Sequence, residues 1–200
     1  MMKLKPIALL MLSLVLNACL PQVTTGERSQ QISLINGPEE QRAPHLKEIF
    51  AQLLSRQDPS LDLGFLAASD YYDSNFHIGG AQTVENASIA FRTLGAGYGL
   101  LVGAPIFERE VYYRSTSEYG VNTRVVASKV QVEVIIIDPL NRSKVASFRS
   151  GVYEALRLEL STQALIDPAN DDDLKALSTQ ALGDLLPSVY AQLQQLLANP

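Results

Sequence analysis

The stretch VASKVQVEVII, residues 126 to 136, decides the fold of this chain. Apolar residues recur at alternate positions, and charged or amide side chains occupy most positions between them. A period of two places each set on its own face of a β-strand, so one face is predicted to be buried and the other polar. The buried set is Val126, Val130, Val132, Val134 and Ile136, and the polar set is Lys129, Gln131 and Glu133.

A turn follows this strand. The sequence DPLNRS, from Asp138 to Ser143, is rich in turn-forming residues and precedes a second alternating run, Val145 to Tyr153. We therefore predict an antiparallel hairpin at about residues 126–153. The alternation can be followed as far as Leu160, which would lengthen its second strand.

Upstream segments alternate between strand and helix periodicity, and a last helix starts at about Asp173. The predicted strands are 32–35, 61–65 and 98–102, the last of them continuing to 113, and the predicted helices are 46–54 and 83–94. The order β-α-β-α-β-β-β-α predicts an α+β fold in which helices pack on a mixed sheet. The second half of that sheet is predicted to be antiparallel.

Three glycines, Gly95, Gly97 and Gly99, form a G-x-G-x-G pattern. A dinucleotide-binding loop has to follow a strand and begin a helix, whereas these glycines follow a helix and begin a strand. We therefore predict no nucleotide site here. The glycines are expected to end the helix and to let backbones approach closely.

The amino terminus has the parts of a secretory signal. Lys3 and Lys5 precede an apolar core that is too short to span a bilayer, and the run ends in Leu16-Asn17-Ala18-Cys19. This ending resembles the lipobox of bacterial lipoproteins. We therefore predict a signal peptide at 1–18, a lipidated tether at 19–31 and a single soluble α+β domain at 32–198. A chance cysteine behind an ordinary secretory signal is the competing interpretation.

The lipobox resemblance implies an anchor. In that family the Cys19 thiol would carry diacylglycerol, and the new amino terminus would usually be acylated, for example with palmitate. The predicted location is the bacterial cell envelope, with the membrane contacted through Cys19. Leu20, a residue other than Asp after the cysteine, implies the inner leaflet of the outer membrane where a sorting system reads that position.

Composition excludes some classes of partner. Removal of residues 1 to 18 leaves 14 of the 16 basic residues against 21 acidic ones, a net charge of −7. Such a charge disfavours nucleic acid as a partner. Cys19 is the only cysteine, so the domain has no disulfide to form.

Two segments resemble a group of envelope lipoproteins. Leu94-Gly95-Ala96, followed by Tyr98 and Leu100-Leu101-Val102-Gly103, is similar to an "LGA-x-Y-hydrophobic-G" segment, and the 130–147 region is similar to a hairpin in the same proteins. The group comprises the curli secretion lipoprotein, the penicillin-binding-protein activator lipoproteins and the amino-terminal domain of the Tol-system propeller protein. The resemblance implies a non-catalytic module that docks onto or assembles with envelope proteins.

Aromatic residues mark the expected contact surface, which combines the loop 70–80 with the strand 110–119. They are Tyr71, Tyr72, Phe76, Tyr112 and Tyr113. Aromatic side chains combine a large contact area with polar tips and are enriched at interfaces. The partner is expected to be another envelope protein or a second copy of the chain. Half-buried packing is the competing interpretation of each aromatic residue.

Two alternative functions remain open. Asp70, Asp73 and His77 could hold a divalent metal in an envelope hydrolase, although the loop has no regular spacing that aligns them. The chain could instead be a subunit of an oligomeric secretion pore, which would need two long amphipathic hairpins, whereas the sequence offers one. The favoured prediction is a protein with no enzyme activity, no cofactor and no metal.

Overall fold

The computed structural model describes residues 29–36, 45–65, 81–116, 121–159 and 172–198. In these ranges the chain forms three helices and six strands. The strands are β1 (Ile32–Asn36), β2 (Leu63–Phe65), β3 (Tyr98–Thr116), β4 (Val121–Asp138), β5 (Ser143–Arg149) and β6 (Tyr153–Glu159). The helices are α1 (Leu46–Gln57), α2 (Ala81–Thr93) and α3 (Asp172–Ala198). None of these helices has both the length and the apolar character needed to cross a membrane.

The six strands form one mixed sheet in the order β2-β1-β3-β4-β5, and β6 also pairs with β4. β1 runs parallel to β2 and β3, whereas β3, β4, β5 and β6 pair in antiparallel fashion. The predicted α+β class and mixed sheet are therefore confirmed.

The run Val145 to Tyr153 belongs to two strands rather than one. β5 pairs with the carboxyl-terminal part of β4, and β6 pairs with its amino-terminal part. Between them, the Ser150 N–H donates to the Val132 carbonyl at 2.9 Å, and the Val132 N–H donates to Ser150 Oγ at 3.0 Å. Ser150 thus bonds to β4 where the chain changes from β5 to β6, which adds a strand to the predicted order. The residues that face the main core change from Ala146 and Phe148 to Tyr153 and Ala155, so the predicted alternation does not run unbroken to Leu160.

The β4–β5 turn forms as predicted. The Asp138 carboxylate accepts the Leu140 and Asn141 N–H groups at 2.9 and 3.1 Å. The Asn141 side chain donates to the other carboxylate oxygen at 2.8 Å. Arg142 then takes a φ of +51°, the left-handed conformation that glycine adopts most readily.

The main core lies between the sheet and two helices, α1 and α3, on the side that we call the two-helix face. It contains the predicted apolar positions of β4, namely Val130, Val132, Val134 and Ile136, all fully buried. Burying such side chains stabilises the fold by about 1.5–3 kcal/mol each. Hydrogen bonds add to the helix packing, because the Tyr190 hydroxyl of α3 donates to the Asp58 carboxylate after α1 at 2.9 Å.

Local hydrogen bonds shift the pKa values of Asp58 and Tyr190. Bonds from the Ser60 side chain and backbone, and then from Tyr190, hold the pKa of Asp58 below its usual value. The same bond to Asp58 raises the pKa of Tyr190. A comparable bond from the Tyr153 hydroxyl to Asp184 joins β6 to α3 and raises the pKa of Tyr153.

Helix α2 covers the opposite side of the sheet, the one-helix face. It ends in a Schellman motif, in which the Ala96 N–H donates to the Phe91 carbonyl and the Gly95 N–H to the Arg92 carbonyl, both at 3.0 Å. Gly95 has the positive φ, +69°, that this motif requires. The Phe91 ring packs directly on Gly99 of β3, where an added Cβ would lie 2.0 Å from the ring. The predicted helix ending at Gly95 is thus confirmed, and the close approach at Gly99 is made by an aromatic ring.

A β-bulge interrupts β3 after its parallel section. Gly103 pairs with Glu133 and Ile106 with Gln131, so Ala104 and Pro105 together lie opposite a single β4 residue. Pro105 has no N–H group to give to the ladder, and a bulge is one of the few strand positions that tolerates this loss. The extra residue keeps the predicted apolar set of β3, which includes Phe107 and Val111, on the two-helix face.

Candidate interaction surface

The long β3–β4 ladder has two halves, and they differ in how far the helices cover their faces. In the proximal half, up to Gly103 of β3, both faces are buried, since the cluster beneath α2 includes Leu101 and Ile137. We call the remainder the distal half. It consists of β3 from Ile106 onward, the paired part of β4 and strand β6. In the described ranges, the cluster beneath α2 reaches no residue of this half.

The one-helix face of the distal half carries a mixed surface, which we call the distal patch. Its exposed members are Glu108, Glu110, Tyr112, Glu154 and Leu156, and Lys129 is half-buried on the same face. Tyr112 is 45% exposed and Leu156 is 68% exposed. Each projects beside a small or branched residue of β4, because Tyr112 pairs with Val125 and Leu156 with Ala127. The patch thus places two large apolar groups on one face of a paired ladder.

Charged residues border these apolar groups. Lys129 Nζ lies 3.7 Å from Glu154 Oε1. Farther along the same face, Glu133 accepts a hydrogen bond from the Ser147 hydroxyl at 2.7 Å and pairs with Arg149 at 3.3 Å. An apolar centre with a polar border is typical of surfaces that bind other proteins.

The outer edge of β3 is the second feature of the distal half. β1 pairs with β3 only as far as Val102, and no other described strand pairs with that edge. One hydrogen bond shows which way the backbone groups of β4 point. The Val132 carbonyl accepts the Ser150 N–H on the β5 side. Alternate residues of an antiparallel strand point to opposite edges, so Gln131 and Lys129 bond towards β3.

The same alternation fixes the outward groups of β3. Ile106 and Glu108 are the partners of Gln131 and Lys129, so their backbone groups point to β4. The residues between them, such as Phe107 and Val111, therefore turn their N–H and C=O groups to the outer edge.

The structure brings one of the predicted contact residues to this surface. Tyr112 is on the distal patch, whereas Tyr113, the next residue of β3, falls on the other face of the strand. Tyr71, Tyr72 and Phe76 lie outside the described residues, so their place beside this strand stays a prediction.

Two further predicted sites also fall outside the described ranges. Cys19 belongs to residues 1–28, and the proposed metal ligands Asp70, Asp73 and His77 belong to residues 66–80. In the described part of the chain, no three His, Cys, Asp or Glu side chains come close enough to hold a metal ion.

Sequence reasoning missed Leu156, the most exposed large apolar side chain among the described residues. The signal was present, because alternation continues beyond Tyr153 and Leu156 falls on the face opposite Ala155. One hollow of about 410 Å³ lies elsewhere, along α1, and is lined by Glu48, Ala51, Gln52, Ser55 and Arg56. All five lining residues belong to the surface of this one helix.

No protein-family model matches the sequence, and no curated protein matches it. Solved structures show distant similarity. A PelC dodecamer from Paraburkholderia phytofirmans is 18% identical, over 81% of this chain and 89% of that chain, with a TM-score of 0.40. Lipoprotein GNA1162 from Neisseria meningitidis is 12% identical, over 84% and 99%, with a TM-score of 0.35.

A minor lipoprotein from Acinetobacter baumannii is 12% identical, over 85% of this chain and 94% of that chain, with a TM-score of 0.33. The neighbours thus include bacterial lipoproteins.

Proposed function

We propose that this chain is a lipid-anchored protein of the bacterial cell envelope that binds another protein through the distal half of its β3–β4 ladder and catalyses no reaction. The observation that carries the binding role is the distal patch, with exposed Tyr112 and Leu156 on one face of the sheet. Rigid aromatic and apolar anchors surrounded by polar groups supply most of the binding energy of protein interfaces.

The amino-terminal sequence supports the anchor. The apolar segment ends at Ala18-Cys19, and β1 begins only at Ile32. The intervening residues 20–31 are polar and could separate the domain from the bilayer surface. Two or more acyl chains on one protein make its release from a membrane slow.

The anchor is tested by Cys19→Ser. We expect the substituted protein to move from the membrane fraction to the soluble or unprocessed fraction, because neither lipid attachment nor the associated cleavage can occur. Fractionation and intact-mass measurement of the native protein check this result. An unmodified Cys19 thiol in the native protein would contradict the proposed anchor.

The binding surface is tested by in-cell photocrosslinking from Tyr112 and Tyr72. We expect both positions to yield a crosslinked protein, because the loop and the strand are proposed to form one surface. Gln180, exposed on α3, is the matched control and should yield none. Crosslinks from Gln180 but not from Tyr112 would place the interface elsewhere, and no crosslink from any position would contradict the binding function.

A further inference from the structure

The outer edge of β3 is long and lies beside the distal patch. From Ile106 to Thr116 it spans 11 residues that pair with β4 on one side and with no described strand on the other. An open edge of this length offers a ladder of N–H and C=O groups to another strand. Pro105, which could block such pairing, lies just before the segment.

We propose that this edge pairs antiparallel with the same edge of a second copy of the chain, about a two-fold axis at Val111. The inference rests on the proposed function and deepens it, because it names a second copy as the partner. In this arrangement Ile106 lies opposite Thr116, so the whole open segment is paired. Val111 is 44% exposed and turns its backbone groups to the open edge.

Charge selects this register. It sets Glu108 of each copy opposite Arg114 of the other, which gives two pairs of opposite charge related by the two-fold axis. Opposite charges directly across an antiparallel pair are stabilising, and like charges are destabilising. A two-residue shift in one direction would instead set Glu110 opposite Glu110.

A shift in the other direction loses paired length. It would leave nine residues of each open segment paired and would set Glu108 opposite Thr116. Shifts by one residue are excluded, because a two-fold axis perpendicular to the sheet requires facing residues to lie on the same face. The register centred on Val111 thus combines the greatest length with opposite charges.

Charged residues on an edge usually oppose association between strands. Here the negative charge of Glu110 disfavours the register that sets Glu110 opposite Glu110. The opposite charges of Glu108 and Arg114 favour the register centred on Val111. The edge therefore has the charge pattern of a specific contact between copies.

The test is disulfide trapping of the full-length protein in native membranes. A Val111→Cys variant should form a disulfide-linked dimer under mild oxidation, because facing residues on the axis have Cα atoms about 5.5 Å apart. The Glu108→Cys variant is the matched control, since its two copies would lie about 20 Å apart along the strands. The unsubstituted protein, treated in the same way, reports any dimer formed through Cys19.

Charge reversal tests the register. Adding Glu108→Arg to Val111→Cys should weaken dimer formation about tenfold, because two attractive pairs become repulsive. Adding Arg114→Glu as well should restore it. Glu108 is exposed, so Glu108→Arg is expected to fold, and circular dichroism checks the folding of both variants.

Several results would overturn the proposal. Equal trapping of Val111→Cys and Glu108→Cys would do so, as would a dimer that is insensitive to Glu108→Arg or not restored by the double reversal. Trapping that fails while Tyr112 still crosslinks to a different protein would overturn self-pairing and leave the proposed binding function intact. Failure of both experiments would contradict the proposed function itself.

Discussion

Replacement of Val132 by Asp is expected to unfold the protein. Val132 is 0% exposed and lies in the main core between the sheet and helices α1 and α3. A carboxylate there would lose its hydration without gaining a partner, at a cost of several kcal/mol. Since single domains are stable by about 5–15 kcal/mol, this cost is comparable with the whole free energy of unfolding. Chemical denaturation followed by circular dichroism measures it.

Gln131→Asp is the control for Val132→Asp, because it introduces the same group one residue away on the other face. Gln131 is half-buried, and its side chain donates to the Ser150 carbonyl at 3.0 Å. Loss of that hydrogen bond should cost about 1 kcal/mol, and the carboxylate would remain hydrated. Equal destabilisation by both substitutions would show that the two faces are equally covered at this point.

Replacement of Gly99 by Ala is expected to have the second largest effect. The new Cβ would lie 2.0 and 2.1 Å from two ring carbons of Phe91, a fully buried residue of α2. The ring or the helix would have to move, and such overpacking costs about 3 kcal/mol. In a domain of this size that corresponds to a fall in Tm of about 10 °C, which thermal unfolding detects.

Gly183→Ala is the matched control for Gly99→Ala. Gly183 lies inside α3, and an added Cβ would meet no atom within 4 Å. Alanine favours a helix over glycine by about 1 kcal/mol, so this variant should be as stable as the original protein or more stable.

A double variant tests whether the Phe91 ring is the cause. Phe91→Ala alone should be destabilising, and adding Gly99→Ala should then cost little, because the clashing ring is gone. Additive effects of the two substitutions would contradict the direct contact.

Much of the sheet could be predicted because its strands carry strong local periodicity. The alternation in β4 identified its buried face residue by residue, and Gly95 identified the end of α2. The division between β5 and β6 could not be predicted in this way. The inward-facing positions change from even residues in β5 to odd residues in β6, and the two strands pair with different halves of β4.

The candidate surface could be predicted only in part. Tyr112 was found because aromatic residues draw attention, whereas the exposure of Leu156 depends on which part of the sheet α2 covers. Helix cover is a tertiary property, and periodicity alone does not reveal it. The open edge of β3 was not predicted for the same reason. Whether a strand lies at an edge depends on which other strands pair with it, and this is also a tertiary property.

The unequal cover of the β3–β4 ladder also has a consequence for motion. Local opening of a strand costs least where the fewest apolar contacts have to be broken. The proximal half packs in both hydrophobic clusters, through residues such as Leu100 and Leu101, whereas among the described residues the distal half packs only in the main core. The end of the hairpin that offers its edge and its patch should therefore be the end that opens most often. A strand bound there would slow this opening, so binding and rigidity would increase together.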